Sequence, residues 1–213
     1  LSEGVPALED FGFYVQSEMP TVLDEGRLGT IHDFLLDLKP GADPKALIDR
    51  SSAIEEAIAA VLNAEAENDP FNRLVPEAGL SAREANWLRA FYRYLRQVGM
   101  SFTIYTVVDA LAAAPDVTRA LVALFTARHD PEFGNARDEA IAEARAAIKR
   151  GLSKVKAIND DRLLRLYNSL IDAILRTNAF APAAHEALAF KIDSAKVPNL
   201  PKPVPYREIF VYS

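Results

Sequence analysis

Cysteine is absent from the 213 residues, which excludes disulfides, thiolate metal sites and a cysteine nucleophile. Its absence fits a reducing cytoplasm. No uninterrupted apolar run approaches the roughly 18 residues needed to cross a bilayer, and no basic-then-apolar leader opens the chain. Histidine occurs three times and never at His-x-x-x-His spacing, so a helical zinc pair is missing. The glycines make no Gly-x-Gly-x-x-Gly, phosphate-loop or Gly-x-Ser-x-Gly pattern, which removes the nucleotide-loop and hydrolase-elbow signatures. Excess positive charge is lacking too. Twenty-four Lys and Arg face 30 Asp and Glu, for a net charge of -6. That balance argues against general affinity for nucleic acid or anionic lipid. The expectation is a soluble, cytoplasmic protein without a nucleic-acid or membrane partner.

What remains is an ordinary globular composition, half apolar and a quarter charged. The length suffices for one domain or two small ones. The spacing predicts a short helix over residues 2–11, a strand over 13–23, a turn at 24–27 and a second strand over 30–39. Lys39-Pro40-Gly41-Ala42-Asp43-Pro44 is the clearest boundary, with Asp43 suited to cap a helix that Pro44 starts.

From there to about Ala181 the pattern is almost wholly helical. Leu47, Ile54, Ile58, Val61 and Leu62 form one apolar stripe, and Ser81 with Glu84 is a capping-box pair. That pair opens a helix with Trp87, Leu88, Phe91, Leu95 and Val98 on one face. Helices with Ile104, Val107, Val108 and Leu111, then Leu121, Val122, Leu124 and Phe125, follow. An Ala-rich helix covers 138–150. The most regular amphipathic run, Asn159 to Asn178, reads as one helix capped by Asn159 or Asp160, with Leu163, Leu166, Tyr167, Leu170, Ile171 and Ile174 on its buried face. Ala187 to Ile192 and Arg207 to Tyr212 read as strands joined by an extended, proline-rich crossing.

Each candidate for chemistry has a plainer reading. His32 beside Asp33 imitates a metal pair, but the two point to opposite faces of a strand, with His129 and His185 far away in sequence. Arg83, Arg89, Arg93 and Arg96 interleave with Phe91, Tyr92 and Tyr94 in a way that imitates a nucleic-acid surface. Aromatics in the core and arginines on the wet side explain it more simply. Glu55-Glu56, Asp160-Asp161, Glu65 and Glu67 read as solvated charges or caps. Residue chemistry therefore assigns no catalytic, cofactor-binding or metal residue.

The runs LRTNAF and LAFKIDSAKVPNLPKPVPYREIFVYS resemble the large bacterial NAD-dependent glutamate dehydrogenases. LVPEAGLSAREANWLRAFYRYLRQVG and LFTARHDP resemble that family's helical segment, and PALEDFGFYVQSEMP with IHDF is similar to its last ACT-like unit. The match is most specific over Leu74 to Gly99 and Arg176 to Ser213. The resemblance implies a mainly α fold. It divides into the end of an ACT-like α+β unit at 1–41, a helical motif at 42–182 and the first strands of the catalytic domain at 183–213. It also implies a structural, assembly or regulatory segment of an enzyme that oxidises L-glutamate with NAD and forms homo-oligomers. The catalytic lysines, aspartate and Rossmann domain are expected beyond Ser213, and neither Lys191 nor Lys196 receives a catalytic role. Leu1 at one end and an apolar strand at the other lead us to expect a piece of a longer polypeptide. The alternative is a free-standing helical interaction module without enzymatic activity.

Overall fold

The computed structural model describes residues 4–213. Helix α1 (Gly4–Asp10) leads into strands β1 (Tyr14–Leu23) and β2 (Gly29–Asp37). Helices α2 (Pro44–Ile48), α3 (Ser51–Leu62), α4 (Leu74–Ala78), α5 (Ala82–Gln97), α6 (Ile104–Ala113), α7 (Pro115–His129), α8 (Arg137–Leu152) and α9 (Ile158–Ala173) follow. Strands β3 (Ile174–Thr177), β4 (Leu188–Ile192) and β5 (Glu208–Tyr212) complete the described order. The mainly helical architecture with two small antiparallel sheets agrees with the sequence expectation. No helix among the described residues is long and apolar enough to cross a membrane.

Local chemistry accounts for several helix ends. Asp43 accepts a hydrogen bond from the Lys45 N–H at 3.0 Å, and Pro44 fills the first position of α2. Ser81 and Glu84 close a reciprocal capping box: Glu84 Oε2 accepts from the Ser81 N–H at 2.8 Å, and Ser81 Oγ accepts from the Glu84 N–H at 3.3 Å. Gly79 ends α4 in the left-handed region at φ 79°, where a side chain would be strained.

Helix α5 lies in the core, burying Trp87, Leu88, Phe91 and Leu95 against α7 and α9. The inward face of β4, Leu188, Phe190 and Ile192, belongs to the same core. Phe190 meets Phe91 edge-on with ring centroids 5.3 Å apart, a favoured aromatic geometry. The ribbon of β1 and β2 is thinner. It pairs from Tyr14 opposite Asp37 to Leu23 opposite Gly29, with a bulge between Val15 and Ser17. Met19, Ile31 and Leu35 stay exposed on it.

Three local expectations need correction. The run from Asn159 to Asn178 is not one helix: α9 stops at Ala173, and Ile174 to Thr177 pair with β4. Arg128 on α7 donates to the carbonyls of Asp172 at 3.3 Å and Ile174 at 3.4 Å, and the Asp193 N–H donates to Ala173 O at 2.8 Å. These tertiary donors satisfy carbonyls that a continuing helix would otherwise bond. The start of α9 has no side-chain cap; Ala157 stands there, and neither Asn159 nor Asp160 serves. Leu62 is 49% exposed, because α3 packs through Ile54 and Ala57 and turns its last residue outward.

Candidate functional site at the helix–sheet junction

The densest polar arrangement sits where the segment before α4 and the outer side of α5 meet β5. Asp69 lies just before a 3-10 turn started by Pro70 and caps it through the Phe71 N–H at 2.9 Å. That leaves Asp69 Oδ2 free to accept from Arg89 Nε at 2.9 Å. Arg89 is only 2% exposed. Its other nitrogens donate to Asn72 at 2.7 Å and Asn86 at 2.8 Å, so each nitrogen of the buried guanidinium has a partner. This corrects the reading of the α5 arginines: Arg89 is a core residue. Arg93 and Arg96 stay at the surface, and Arg83 stands over the Trp87 ring at 5.2 Å.

Glu67 is likewise more than a solvated charge. Its carboxylate accepts from Tyr212 Oη at 2.7 Å and from Arg93 Nη2 at 2.8 Å. Desolvation pushes the Glu67 pKa up, but the bonds from Tyr212 and Arg93 outweigh it and hold the carboxyl below its usual value. Burial, then the carboxylate of Glu67, pushes the Tyr212 phenol well above its ordinary range. A second Tyr–carboxylate contact runs the opposite way. Tyr94 Oη on α5 donates to Glu208 Oε2 on β5 at 2.8 Å, and Ser194 Oγ donates to the same oxygen at 3.0 Å. Between the two contacts, the rings of Tyr94 and Phe210 meet edge-on at 5.5 Å. Strand β5 is therefore held at both ends by hydrogen bonds and in the middle by an aromatic pair.

The remaining candidates do not converge. His32 Nδ1 lies 2.6 Å from Glu18 Oε1, and Asp33 occupies the other face of the ribbon. His129 ends α7, packed on Phe125 at 5.1 Å. Burial first, then the Arg128 and Arg137 cations, pushes its pKa down to about 4. The side chain of His185 lies outside the described residues. Glu55, Glu56 and Glu65 are exposed, and Asp161 accepts from Arg165 one turn on at 2.8 Å. Among the described residues, no group of three His, Asp or Glu is placed to hold a metal. Trp87 Nε1 and His129 Nε2 are buried without a hydrogen-bond partner among those residues.

The arrangement joins hydroxyl and guanidinium donors to carboxylates on elements far apart in sequence. Its chemistry is that of a clamp. Two open cavities lie elsewhere. One of about 450 Å³ is bounded by the α5–α6 turn, α9 and Pro198-Asn199; the other, of about 630 Å³, lies between the α4–α5 turn, α7 and α8.

The two sides of the clamp match two different family models. Residues 66–131 match the glutamate dehydrogenase helical motif 3, and residues 147–213 match the catalytic domain of bacterial NAD-glutamate dehydrogenase. Over its full length the chain is 37% identical to the NAD-specific glutamate dehydrogenase of Pseudomonas aeruginosa. The chain belongs to the bacterial NAD-glutamate dehydrogenase family. The corresponding enzymes of Halomonas elongata and Mycobacterium tuberculosis are 37% and 32% identical, again over all of the chain. The chain spans 13–14% of the length of these relatives.

Within that family frame, Glu67 and Tyr94 stand in the helical-motif segment, and Glu208 and Tyr212 in the catalytic-domain segment. The resemblance seen in LRTNAF and in the tail through EIFVYS lies inside the second match, which also takes in part of α8 and all of α9. Sequence reasoning missed the clamp residues. Glu67 and Tyr212 are 145 positions apart, and no local pattern joins them.

Proposed function

We propose that this chain is the non-catalytic junction of an NAD-dependent glutamate dehydrogenase. The whole enzyme converts L-glutamate, NAD and water to 2-oxoglutarate, ammonia and NADH. The junction holds the opening strands of the catalytic part against the helical motif and contributes to assembly of a cytoplasmic homo-oligomer. Residues 1–41 are the end of an ACT-like unit, 42–182 the helical motif, and 183–213 the strands that open the catalytic part. NAD and glutamate bind elsewhere in the polypeptide, so none of these residues contacts them.

The observation that supports this reading is the double Tyr–carboxylate clamp between segments of two different family models. Such bonds fix direction as well as distance, and the aromatic pair between them keeps water out. A clamp is what a strand needs when residues beyond it must be held in register.

The test compares two proteins, the 213-residue chain and the full polypeptide that carries it. With glutamate and NAD, the full polypeptide should form NADH and 2-oxoglutarate, and the chain alone neither. NADH formation by the chain alone would remove the non-catalytic assignment. A full polypeptide inert toward glutamate would remove the reaction itself.

A further inference from the structure

The terminal sheet has two unlike faces. Leu188, Phe190 and Ile192 of β4 point into the core, as do their β5 neighbours Phe210 and Tyr212. The opposite face carries Arg176, Lys191 and Ile209 side by side across the three strands, with Ala189 beside Val211 in the next row. Ile209 is 74% exposed and Val211 57%. Arg176 and Lys191 are direct partners in the ladder, and like charges in that position repel. No ion pair within 4.0 Å involves either cation among the described residues. The face is thus apolar at one side and cationic at the other, with its charge uncompensated.

We infer that this face docks an acidic amphipathic helix of the same polypeptide, lying outside these 213 residues. Sheets bury a second face under helices, and an apolar row beside two cations fits a helix that presents aliphatic residues flanked by Asp or Glu. Carboxylates there would offset the Arg176–Lys191 repulsion and would be held more strongly once Ile209 and Val211 are covered. Because the chain spans 13–14% of its relatives' length, most of such a polypeptide lies elsewhere and can supply the helix. The sheet's register and charge point to such a helix whether or not the polypeptide oxidises glutamate.

The experiment uses the full-length polypeptide. Zero-length carbodiimide coupling followed by peptide mass spectrometry should join Lys191 to an Asp or Glu outside residues 1–213 of the same chain. Acylation of Lys191 should be several-fold slower than that of Lys202, an exposed lysine on the crossing to β5. Lys191→Glu should raise deuterium uptake over Ile209–Tyr212, because it repels an acidic partner while relieving the cation pair within the sheet. Lys191→Arg should leave uptake unchanged. Three results would overturn the inference. Lys191 could react as fast as Lys202. Coupling could run between copies in a mixture of isotopically light and heavy subunits. Protection could arise only on adding inorganic phosphate or a nucleotide, which would assign the cations to a small anion.

Discussion

Replacing Arg89 by alanine would strip Asp69, Asn72 and Asn86 of their shared donor and leave the buried Asp69 carboxylate with only the more distant Arg93 cation, 3.8 Å away. Breaking a buried pair in that way costs about 3–5 kcal/mol, and urea unfolding of Arg89→Ala should show a loss of that order. Arg89→Met, combined with Asp69→Asn, should recover part of it, because the isolated charge is gone. His129 provides a pH prediction. Its folded pKa of about 4 lies below its ordinary 6.5, so the folded state binds fewer protons than the unfolded state between those values. Its contribution is complete above pH 6.5 and is lost as pH falls toward 4. Allowing for partial solvent access, the loss is on the order of 2 kcal/mol. Melting temperature should fall over that window, and His129→Gln should flatten the fall.

At the scale of elements, α8 comes close to α7 at Gly151. A Cβ on Gly151 would run into a Val117 methyl. Helix propensity alone would make Gly151→Ala favourable by about 1 kcal/mol, but overpacking costs about 1–3 kcal/mol. A net loss should appear in thermal unfolding, and Gly151→Ala with Val117→Ala should reverse part of it.

Elements whose signals are local were legible in the sequence. The Ser81–Glu84 box, the Asp43–Pro44 start and the buried face of α5 are each set within a few residues of the feature they control. The end of α9 was not legible, because Ile174 continues the helical spacing and only Arg128, 46 positions away, and Asp193 supply the donors that let the chain turn. The burial of Arg89 was hidden for a similar reason: the helical wheel puts it beside other arginines, and its partners Asp69 and Asn72 come from a preceding turn. The clamp needed β5 to return to α5, which no spacing along the chain encodes.

At the scale of the whole molecule, a single core runs through helices and sheet. Phe190 touches both Phe91 and Phe125, and Tyr167 Oη donates to Leu88 O at 3.2 Å inside the same core. A fragment of residues 147–213 would therefore leave the inner faces of α9 and β4 in water. It should lack cooperative unfolding and dispersed amide resonances, whereas the 66–213 piece should regain both. Independent folding of the shorter fragment would show that the helical motif is dispensable to it.

The chain has one tryptophan, and it stands where helices and sheet connection meet. Trp87 packs on Phe125 at 5.0 Å and on Phe180, just beyond β3, at 5.2 Å, and its indole N–H has no hydrogen-bond partner among the described residues. An indole that donates no hydrogen bond in an apolar setting emits at shorter wavelength than one in water. Loosening of the connection after β3 would therefore register as a red shift in the emission of a single tryptophan, without any label.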